Sequence, residues 1–257
     1  MTGREIWLAF VTILVKEMRR YLRIWPQTLV PPVITITLYF VIFGNLIGSR
    51  IGQMGGFSYM EFVVPGLIMM AVIQNSYSNV VSSFYGAKFQ HSIEELLVSP
   101  TPNWVILAGF TLGGVSRGLA VGLTVTLLSL MFASLEIRHL GLTVLVVFLT
   151  AVLFSLAGLI NAVFADSFDD ISIIPTFILT PLIYLGGVFY SVNLLPDFWV
   201  GVSKANPILY MVNSFRYGVL GVSDIEVGYA LLMIVVFIVI LGTWALHLLR
   251  TGTRLRH

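Results

Sequence analysis

A serine and an arginine inside a long apolar run are the residues of this sequence most suited to chemistry. The run contains Gly114-Val-Ser116-Arg-Gly118, which matches G-x-S-x-G, the pattern of a serine nucleophile on a sharp strand-to-helix turn. Here the pattern lies in a helical stretch, and an acyl-transfer site would also need a base. Of the histidines, only His247 approaches a predicted membrane span. An intramembrane serine hydrolase using Ser116 is therefore a remote alternative.

The glycines of the same run predict close helix packing instead. Gly114, Gly118 and Gly122 recur every four residues, so they form a small-residue stripe along one helix face. Arg117 is the one ionisable residue well inside a predicted transmembrane helix, which makes it a functional candidate by default. If the first turns of the run lie at the membrane surface, its guanidinium can snorkel to water. The sequence leaves both interpretations open.

Polar side chains in two other apolar runs could line a path through a membrane. Asn75, Asn79 and Ser82 share one helix face, and because unpaired polar groups are costly in lipid, this face should point into the protein. In the other run, Ile171–Tyr190, Pro175 and Pro181 predict a helix that is not rigidly straight. Hydrogen bonds between helices, without any solute, would explain the same residues. The path candidates are Gln74, Asn75, Asn79, Ser82, Thr176, Thr180 and Tyr184.

The composition argues against several other kinds of site. The chain has no cysteine, which removes disulfides and thiolate metal sites, and we expect no metal site. All 12 acidic residues lie in the N-terminal segment, near span ends or in connections, so no carboxylate inside a span is available to carry a coupling ion. The dipeptide Gly-Lys is absent, and with it the P-loop that cradles ATP phosphates. If ATP drives this protein, a separate polypeptide binds it.

The elements that position these residues are transmembrane helices. The chain has 257 residues, 58% hydrophobic and 10% charged, with a mean hydropathy of +0.96, whereas soluble domains are about 25% charged. Since about 20 apolar residues cross a bilayer, we predict an all-α polytopic membrane protein in a single domain, residues 1–257, with six spans. The predicted spans are Leu29–Ile47, Phe62–Ser83, Gly109–Phe132, Thr143–Phe164, Ile171–Tyr190 and Gly228–Leu249.

The distribution of positive charge predicts the orientation. Most lysines and arginines lie before the first span, after the last span, or between spans two and three. The positive-inside rule therefore places both termini in the cytoplasm. A net charge of +2 is too small to indicate nucleic acid. The cytoplasmic set is Arg4, Lys16, Arg19, Arg20, Arg23, Lys88, Arg250, Arg254 and Arg256, and the outer set is Arg50, Arg138, Lys204 and Arg216.

Residues 1–25 predict an amphipathic helix lying in the cytoplasmic interface, ahead of a bundle formed by residues 26–257. At 100° per residue, its charged side chains share one arc with Thr12, and its apolar side chains fill the other. Glu17 alone interrupts the apolar arc. This helix either anchors the chain on anionic lipid or also contacts a partner. The apolar arc consists of Ile6, Trp7, Phe10, Val11, Leu14, Val15, Met18 and Tyr21.

The segment Gly186–Glu226 is too apolar for an ordinary outer loop, yet prolines break it. Its pieces LLPDFWVGV and ILYMVNSFRYGVLG have about the 10–14 residues of re-entrant or interfacial segments. We predict re-entrant helices that pack against the spans near the outer face. The alternative is an aromatic-belt loop with Trp199 and Tyr210 at headgroup level. The residues singled out in this segment are Pro196, Asn206, Pro207, Tyr210 and Arg216.

A short punctuated element, SIEELLVSPTPNW, separates spans two and three. Ser92 with Glu95 three residues later predicts a capping box, and Pro100 and Pro102 end the helix after about two turns. Glu94 and Glu95 should face water. An apolar knob suited to a groove on another protein would consist of Ile93, Leu96 and Leu97. A surface turn lying on lipid is the alternative.

Two stretches resemble permeases of the type-2 ABC exporter class. EELLVSPTPNWVILAG is similar to the family's coupling helix, in which acidic-x-L-L-x-S-P precedes the third span. The stretch Pro181–Gly221 is similar to its P-L-x-x-L-S-G-x-F-x-P-x-x-x-L-P…N-P-x-x-Y-x-x-x-x-x-R pattern. Gly186 stands where serine is usual, and Ser191 where proline or a small polar residue is common. The resemblance covers essentially the whole chain.

The resemblance implies a half-transporter in the bacterial inner membrane. Such a multi-pass permease pairs with a second permease copy, as a homodimer or a heterodimer, and with two copies of an ABC ATP-binding subunit. ATP and magnesium belong to that subunit, so this chain binds no cofactor, and its other expected contacts are membrane lipids. An ATP-independent carrier or channel is the alternative. The coupling contact would lie on Ser92, Glu94, Glu95, Leu96, Leu97 and Pro100.

The resemblance also gives roles to other elements. The N-terminal amphipathic helix corresponds to the connecting helix, and spans two and five line the path. The re-entrant helices, Leu194–Gly221, would close the outer side. Export is carried over from the family, and the substrate cannot be read from the sequence.

Overall fold

The computed structural model describes residues 1–255, apart from the side chains of Asn45 and Ser49. Arg256, which belongs to the predicted cytoplasmic set, lies outside this range. The described chain is mostly helical, with one small antiparallel hairpin of β1 (Gln53–Met54) and β2 (Phe57–Ser58). The helices are α1 (Gly3–Arg23), α2 (Trp25–Tyr39), α3 (Gly48–Ile51), α4 (Tyr59–Phe89), α5 (Ser92–Val98), α6 (Asn103–Ser129), α7 (Leu140–Phe164), α8 (Asp170–Ile174), α9 (Thr180–Leu185), α10 (Asp197–Lys204), α11 (Pro207–Leu220) and α12 (Val227–Thr251).

Four helical segments of the described chain are long and apolar enough to cross a membrane: Trp25–Gly44, Asn103–Ser129, Leu140–Phe164 and Val227–Thr251. They correspond to predicted spans one, three, four and six. The second predicted span lies in α4, which has 31 residues and a polar middle. The fifth lies in the shorter apolar run Asp170–Leu185. The transmembrane character of the fold therefore stands, while the number of six spans stays a prediction.

Two of these helical runs contain π-helical segments. Pro31 and Pro32 lie inside α2, which continues as a π-helical segment, Phe40–Ile47. A second π-helical segment, Pro175–Leu179, joins α8 to α9. Proline removes a backbone donor and its ring clashes with the preceding turn, and local π adjustments can re-satisfy the freed backbone groups. The predicted irregularity of the fifth apolar run is present at Pro175.

Helix α4 is the centre of the bundle, surrounded by α6, α7 and α11. The glycine stripe of α6 lies against it. A Cβ added at Gly118 would meet the side chain of Ser76, and one at Gly122 would lie 2.6 Å from Val72 Cγ2. Small residues thus let α4 and α6 approach closely, as the spacing predicted.

Helix α1 packs along a second glycine face of α6. Added Cβ atoms at Gly109 and Gly113 would each lie 2.5 Å from a side-chain atom of α1, on Ile13 and Glu17 respectively. Glu17 is only 1% exposed, so its place on the apolar arc is a buried contact and not an irregularity. The apolar side chains of α1 are divided: Ile13 and Tyr21 are buried, whereas Trp7 and Val15 are exposed. Helix α1 is therefore held by protein on one face.

The bundle has two ends, which we call the α5 end and the α10 end. At the α5 end, Lys88 of α4 contacts the carbonyl of Ala165, just after α7. At the α10 end, the hydroxyl of Tyr59, the first residue of α4, donates to the carbonyl of Phe189 at 3.0 Å. His139, before α7, donates its backbone N–H to Gly218 of α11 at 2.8 Å. Helices α4 and α7 thus connect the same two ends.

The segment Gly186–Glu226 contains two helices, α10 and α11, while their re-entrant placement in a membrane stays a prediction. Tyr210 is 6% exposed and Arg216 only 1%, so α11 is buried among α4, α7, α9 and α12. Trp199 of α10 stays 46% exposed. A loop resting at headgroup level does not describe α11, because it is inside the bundle.

Candidate functional site

Helix α5 lies on the bundle through the face that was predicted to be its docking knob. Ile93 is 1% exposed and belongs to the core, and Leu96 and Leu97 pack against that core. The opposite face carries Glu95, which is exposed, and Val98, which is 85% exposed. The prediction that Ile93 belongs to an outward apolar knob is therefore wrong. Leu96 and Leu97 are partly buried, and Val98 is the apolar side chain presented outward. The docking role of α5 stays a prediction.

The predicted capping box of α5 is also wrong. His91, with φ of 57°, turns the chain directly before the helix. Ser92 lies one residue too late to cap, and its hydroxyl donates to the carbonyl of Ala87 at 3.2 Å. Because only Gln90 and His91 separate Ser92 from the end of α4, Ser92 bonds back to the last turn of α4. Glu94 contacts Nδ1 of His91 at 2.9 Å.

The sequence pattern occurs as real capping boxes elsewhere. Thr2 Oγ1 accepts from the N–H of Glu5, whose carboxylate accepts from Thr2. Ser58 and Glu61 form the same pair at the start of α4. The pattern T/S-x-x-E could have located both helix starts. Directly after α5, the hydroxyl of Ser99 donates to the carbonyl of Leu96 at 2.6 Å, which closes the end of that helix. Pro100, the next residue, is exposed.

Lys88 fixes the corner from which α5 departs. Its ammonium donates to the carbonyls of Val163 at 2.9 Å and Ala165 at 2.7 Å, and lies 3.9 Å from Asp166. These carbonyls belong to the end of α7, where backbone acceptors lack helical partners. Burial lowers the pKa of Lys88, and Asp166 opposes that effect. Sequence reasoning counted Lys88 only as a cytoplasmic charge.

Arg254 extends the same corner, since its guanidinium lies 3.3 Å from Asp166. Asp170 accepts from the backbone N–H groups of Asp166 and Ser167, each at 3.0 Å, and these bonds lower the pKa of Asp170. The ends of α4, α7 and α12 and the start of α8 therefore meet beside α5.

The polar face of α4 is divided between two surroundings. Arg20 of α1 donates to both the backbone and the side-chain oxygen of Asn79, at 2.9 and 2.8 Å, and reaches Ser82 at 3.5 Å. Ser83 donates to Glu17 at 2.6 Å, and Glu17 lies 3.5 Å from Arg20. Asn79 is fully buried. The part of this face nearer the α5 end is therefore bound to α1 by hydrogen bonds between helices.

The part of this α4 face nearer the α10 end lines a polar cavity of about 260 Å³ between α2, α4 and α6. Helix α4 contributes Gln74, Asn75 and Ser78, and α6 contributes Arg117. Asn75 donates its amide to the carbonyl of Ala71 at 3.0 Å. Of the two predicted asparagines, Asn75 therefore lies at this cavity and Asn79 does not.

The polar residues of the fifth apolar run do not reach this cavity. Thr176 is exposed, and Thr180 donates to the carbonyl of Pro175 at 2.9 Å within its own helix. The hydroxyls of Tyr184 and Tyr39 lie 2.8 Å apart. Tyr184 also stacks on Phe189, with ring centroids 5.6 Å apart. This aromatic cluster joins α2 to α9 nearer the α10 end.

Arg216 is among the largest fully buried side chains of the described residues. It donates to the carbonyls of Phe62 at 3.3 Å and Gly187 at 2.7 Å, and its guanidinium lies 3.9 Å from the ring centre of Phe62. It therefore ties α11 to the start of α4 and to the turn after α9. The sequence predicts Arg216 only as a member of the outer set and of the re-entrant segment, and its burial against α4 is new in the structure.

The other residues singled out in Gly186–Glu226 hold α10 and α11 in place. Pro196 precedes α10, and Pro207 begins α11. Asn206 accepts from the N–H of Ile208 and donates to the carbonyl of Leu182 at 2.6 Å. Tyr210 donates to the carbonyl of Lys204 at 2.6 Å.

Asp224 is a residue that sequence reasoning missed. Its carboxylate accepts from the hydroxyl of Ser191 at 2.8 Å, the N–H of Val192 at 3.0 Å and the amide of Asn193 at 3.1 Å. Its own N–H donates to Asn213 of α11 at 3.0 Å. Asp224 therefore joins the loops before and after the α10–α11 unit.

Ser116 is not a nucleophile elbow. It lies in the regular helix α6, and its hydroxyl donates to the carbonyl of Gly113 at 2.8 Å. The elbow requires a turn from strand to helix, which this geometry does not provide.

Comparison with known proteins agrees with the resemblance drawn from the motifs. The sequence model of the ABC-2 type transporter membrane domain matches residues 8–220. The chain is 60% identical over 250 residues to the inner membrane transport permease YadH of Escherichia coli strain K12, covering 97% of this chain and 98% of that protein. It is 22% identical over 192 residues to nodulation protein J of Rhizobium meliloti strain 1021, covering 74% and 73% of the two chains.

Proposed function

The chain belongs to the ABC-2 type transporter family, as a permease, and on that premise we propose that it is the membrane subunit of an ATP-driven exporter in the bacterial inner membrane. Two copies of this chain form the path, and two ATP-binding subunits carry ATP and magnesium. The spans lie within α2 with its π segment, α4, α6, α7, the α8–α9 unit and α12, and they leave Lys88 and Asp170 outside the membrane. Both termini and the α5 end face the cytoplasm.

The outward face of α5 is the observation that carries this proposal. A helix of seven residues is too short to be stable alone, and packing of Ile93 holds it on the bundle. Its other face exposes 85% of Val98 beside the exposed Glu95. An apolar side chain with a neighbouring charge, presented on a fixed helix, suits a groove with a complementary cation on the ATP-binding subunit.

Force on α5 has a direct route into the bundle. The helix follows the central α4 after only two residues, and Lys88 at that corner holds the end of α7. Helix α1 is joined to α4 through the pair Glu17–Arg20. In the proposed mechanism, ATP-dependent closure of the partner subunits moves α5 and α1 together. The closed partner thereby favours one arrangement of α4 over another, which is population shift by differential binding.

The proposal is tested by purifying the tagged chain in mild detergent. We expect an ATP-binding subunit to co-purify, and Glu95→Lys or Val98→Asp to reduce its recovery and the stimulated ATP hydrolysis. Asp197→Lys is the matched control, because Asp197 is an exposed carboxylate in α10 at the opposite end. Recovery of the permease alone in several mild detergents would favour an ATP-independent carrier. Equal ATPase binding by the Glu95 and Asp197 variants would remove α5 as the contact.

A further inference from the structure

Arg117 is a cation without an internal counter-ion. Within residues 1–255 it makes no ion pair or hydrogen bond, and its Nε is buried without a partner. On the α1 side of α6, the side chain of Glu17 packs against Gly113. The carboxylate of Glu17 is 3.5 Å from Arg20, so the nearby negative charge is already paired. Arg117 therefore offers an unneutralised positive charge.

The position of Arg117 makes that charge costly. It is 14 residues after the start of α6, a helix of 27 residues, so it lies about 21 Å along a helix of about 40 Å at 1.5 Å per residue. A cation at mid-depth in a bilayer is unfavourable unless protein, water or an anion surrounds it. The side chain lines the cavity beside Gln74 and Ser78 of α4 and is about four turns from the start of α6. Snorkelling therefore does not describe it well.

The cavity around Arg117 supplies hydrogen bonds but no negative charge. Its polar lining consists of Gln27, Thr28, Thr35, Gln74, Asn75, Ser78 and Arg117. Amide and hydroxyl donors around one guanidinium form a suitable environment for a phosphate or carboxylate, which the guanidinium binds through two parallel bonds. The remaining lining includes Pro31, Ile36 and Met70, which are apolar.

Size and exposure indicate how much of a ligand this cavity can take. Its volume of about 260 Å³ is slightly below the roughly 300–1,000 Å³ of typical ligand pockets. Gln27 and Thr35 of α2 are exposed, so the cavity opens beside α2. The face of α2 that points away from the bundle carries exposed apolar side chains, Val30, Ile34 and Leu38. A polar head group fits inside, while an acyl chain would lie along α2.

We propose that this cavity binds the anionic head group of an amphiphilic substrate. The guanidinium of Arg117 holds the phosphate or carboxylate, and Gln74 and Ser78 hydrogen-bond its oxygens. The proposal rests on the proposed transport function, whose substrate class it names. The apolar part of the substrate contributes by contact with α2, so a free inorganic anion should bind much more weakly than an anionic lipid.

The test uses the purified full chain, with any subunit that accompanies it, and isothermal titration with three probes. Dihexanoyl phosphatidic acid should bind more tightly than dihexanoyl phosphatidylcholine, and inorganic phosphate should bind weakest. Arg117→Gln should weaken phosphatidic acid binding by about 10- to 100-fold, since hydrogen bonds to charged groups are lost. Arg50→Gln, at an exposed arginine of α3, is the matched control and should bind as the unchanged chain does.

Two further variants keep the test decisive if Arg117→Gln folds poorly. Arg117→Lys retains the charge and should retain part of the affinity for phosphatidic acid. Gln74→Leu should lower that affinity several-fold. Equal binding by the unchanged chain and these variants would overturn the proposal. Equal affinity for phosphatidylcholine would remove the requirement for an anion, and equal affinity for phosphate would show a site for a free anion only. Because no ATP is present, these results are independent of whether an ATP-binding subunit co-purifies.

Discussion

The buried carboxylate of Glu17 should decide whether α1 stays attached to the bundle. Glu17 accepts from Ser83 at 2.6 Å, lies 3.5 Å from Arg20 and packs against Gly113. Replacing it with alanine removes the only acidic group of this network and leaves the hydroxyl of Ser83 and the guanidinium of Arg20 less well satisfied. We therefore expect Glu17→Ala to favour a state in which α1 is detached from α4 and α6.

The magnitude follows from the exposure of the two partners. Removing one member of a fully buried ion pair costs about 3–5 kcal/mol. Glu17 is 1% exposed, but the side chain of Arg20 is 31% exposed, so Arg20 can recover part of its hydration. A cost of about 1–3 kcal/mol is then expected, which shifts the docking equilibrium of α1 by about 5- to 150-fold. Glu17→Gln keeps the volume and should cost less.

The absence of cysteine from the sequence makes this measurable with one introduced thiol. Ile13 is 7% exposed and packs on Gly109, so Ile13→Cys should react slowly with a membrane-permeant maleimide while α1 is docked. In the Glu17→Ala background the rate should rise by a factor within the expected range. Lys16→Ala, at an exposed neighbour, is the control. Identical rates with and without Glu17 would refute the reasoning, because docking would not depend on this carboxylate.

Three other predictions concern packing, pH and the outer loops. Gly118→Leu should lower the melting temperature, since overpacking costs about 1–3 kcal/mol. Gly86→Leu is the control and should leave it unchanged, because a Cβ at Gly86 would meet no atom within 4 Å. Equal melting temperatures of the two variants would contradict the packing of α6 on α4. Hydrogen bonds lower the pKa of Asp170 from 3.8, so its stabilisation is complete above that pH and is lost as pH falls through the lowered pKa. Melting curves of Asp170→Asn at acid and neutral pH should lack this component, and an unchanged pH dependence would count against it. Asp224→Ala should raise the amide hydrogen-exchange rate of Val192, because the N–H of Val192 donates to the Asp224 carboxylate at 3.0 Å. An unchanged exchange rate would show that other contacts hold this loop.

Local patterns determined much of this protein. Hydropathy and length identified the membrane class, and four of the predicted spans coincide with apolar helices. The glycine spacing of α6 predicted its close packing on α4. Prolines bounded α5, because proline ends a helix through its own ring and missing donor, whatever surrounds it. Each of these properties depends on neighbours within a few residues along the chain, so the sequence is sufficient.

The tertiary structure decided which residues face which partner. The sequence predicts Ile93 as part of an apolar docking knob, because a helical pattern identifies an apolar face without saying what covers it. Glu17 interrupts the apolar arc in the sequence and Arg216 is one member of the outer set, and only the structure shows Arg20 and Phe62 beside them. Asn75 and Asn79 share one face, yet α1 covers only Asn79. A buried polar group takes its role from atoms far away in sequence, and only the packing of α1, α2, α4 and α6 brings those atoms together.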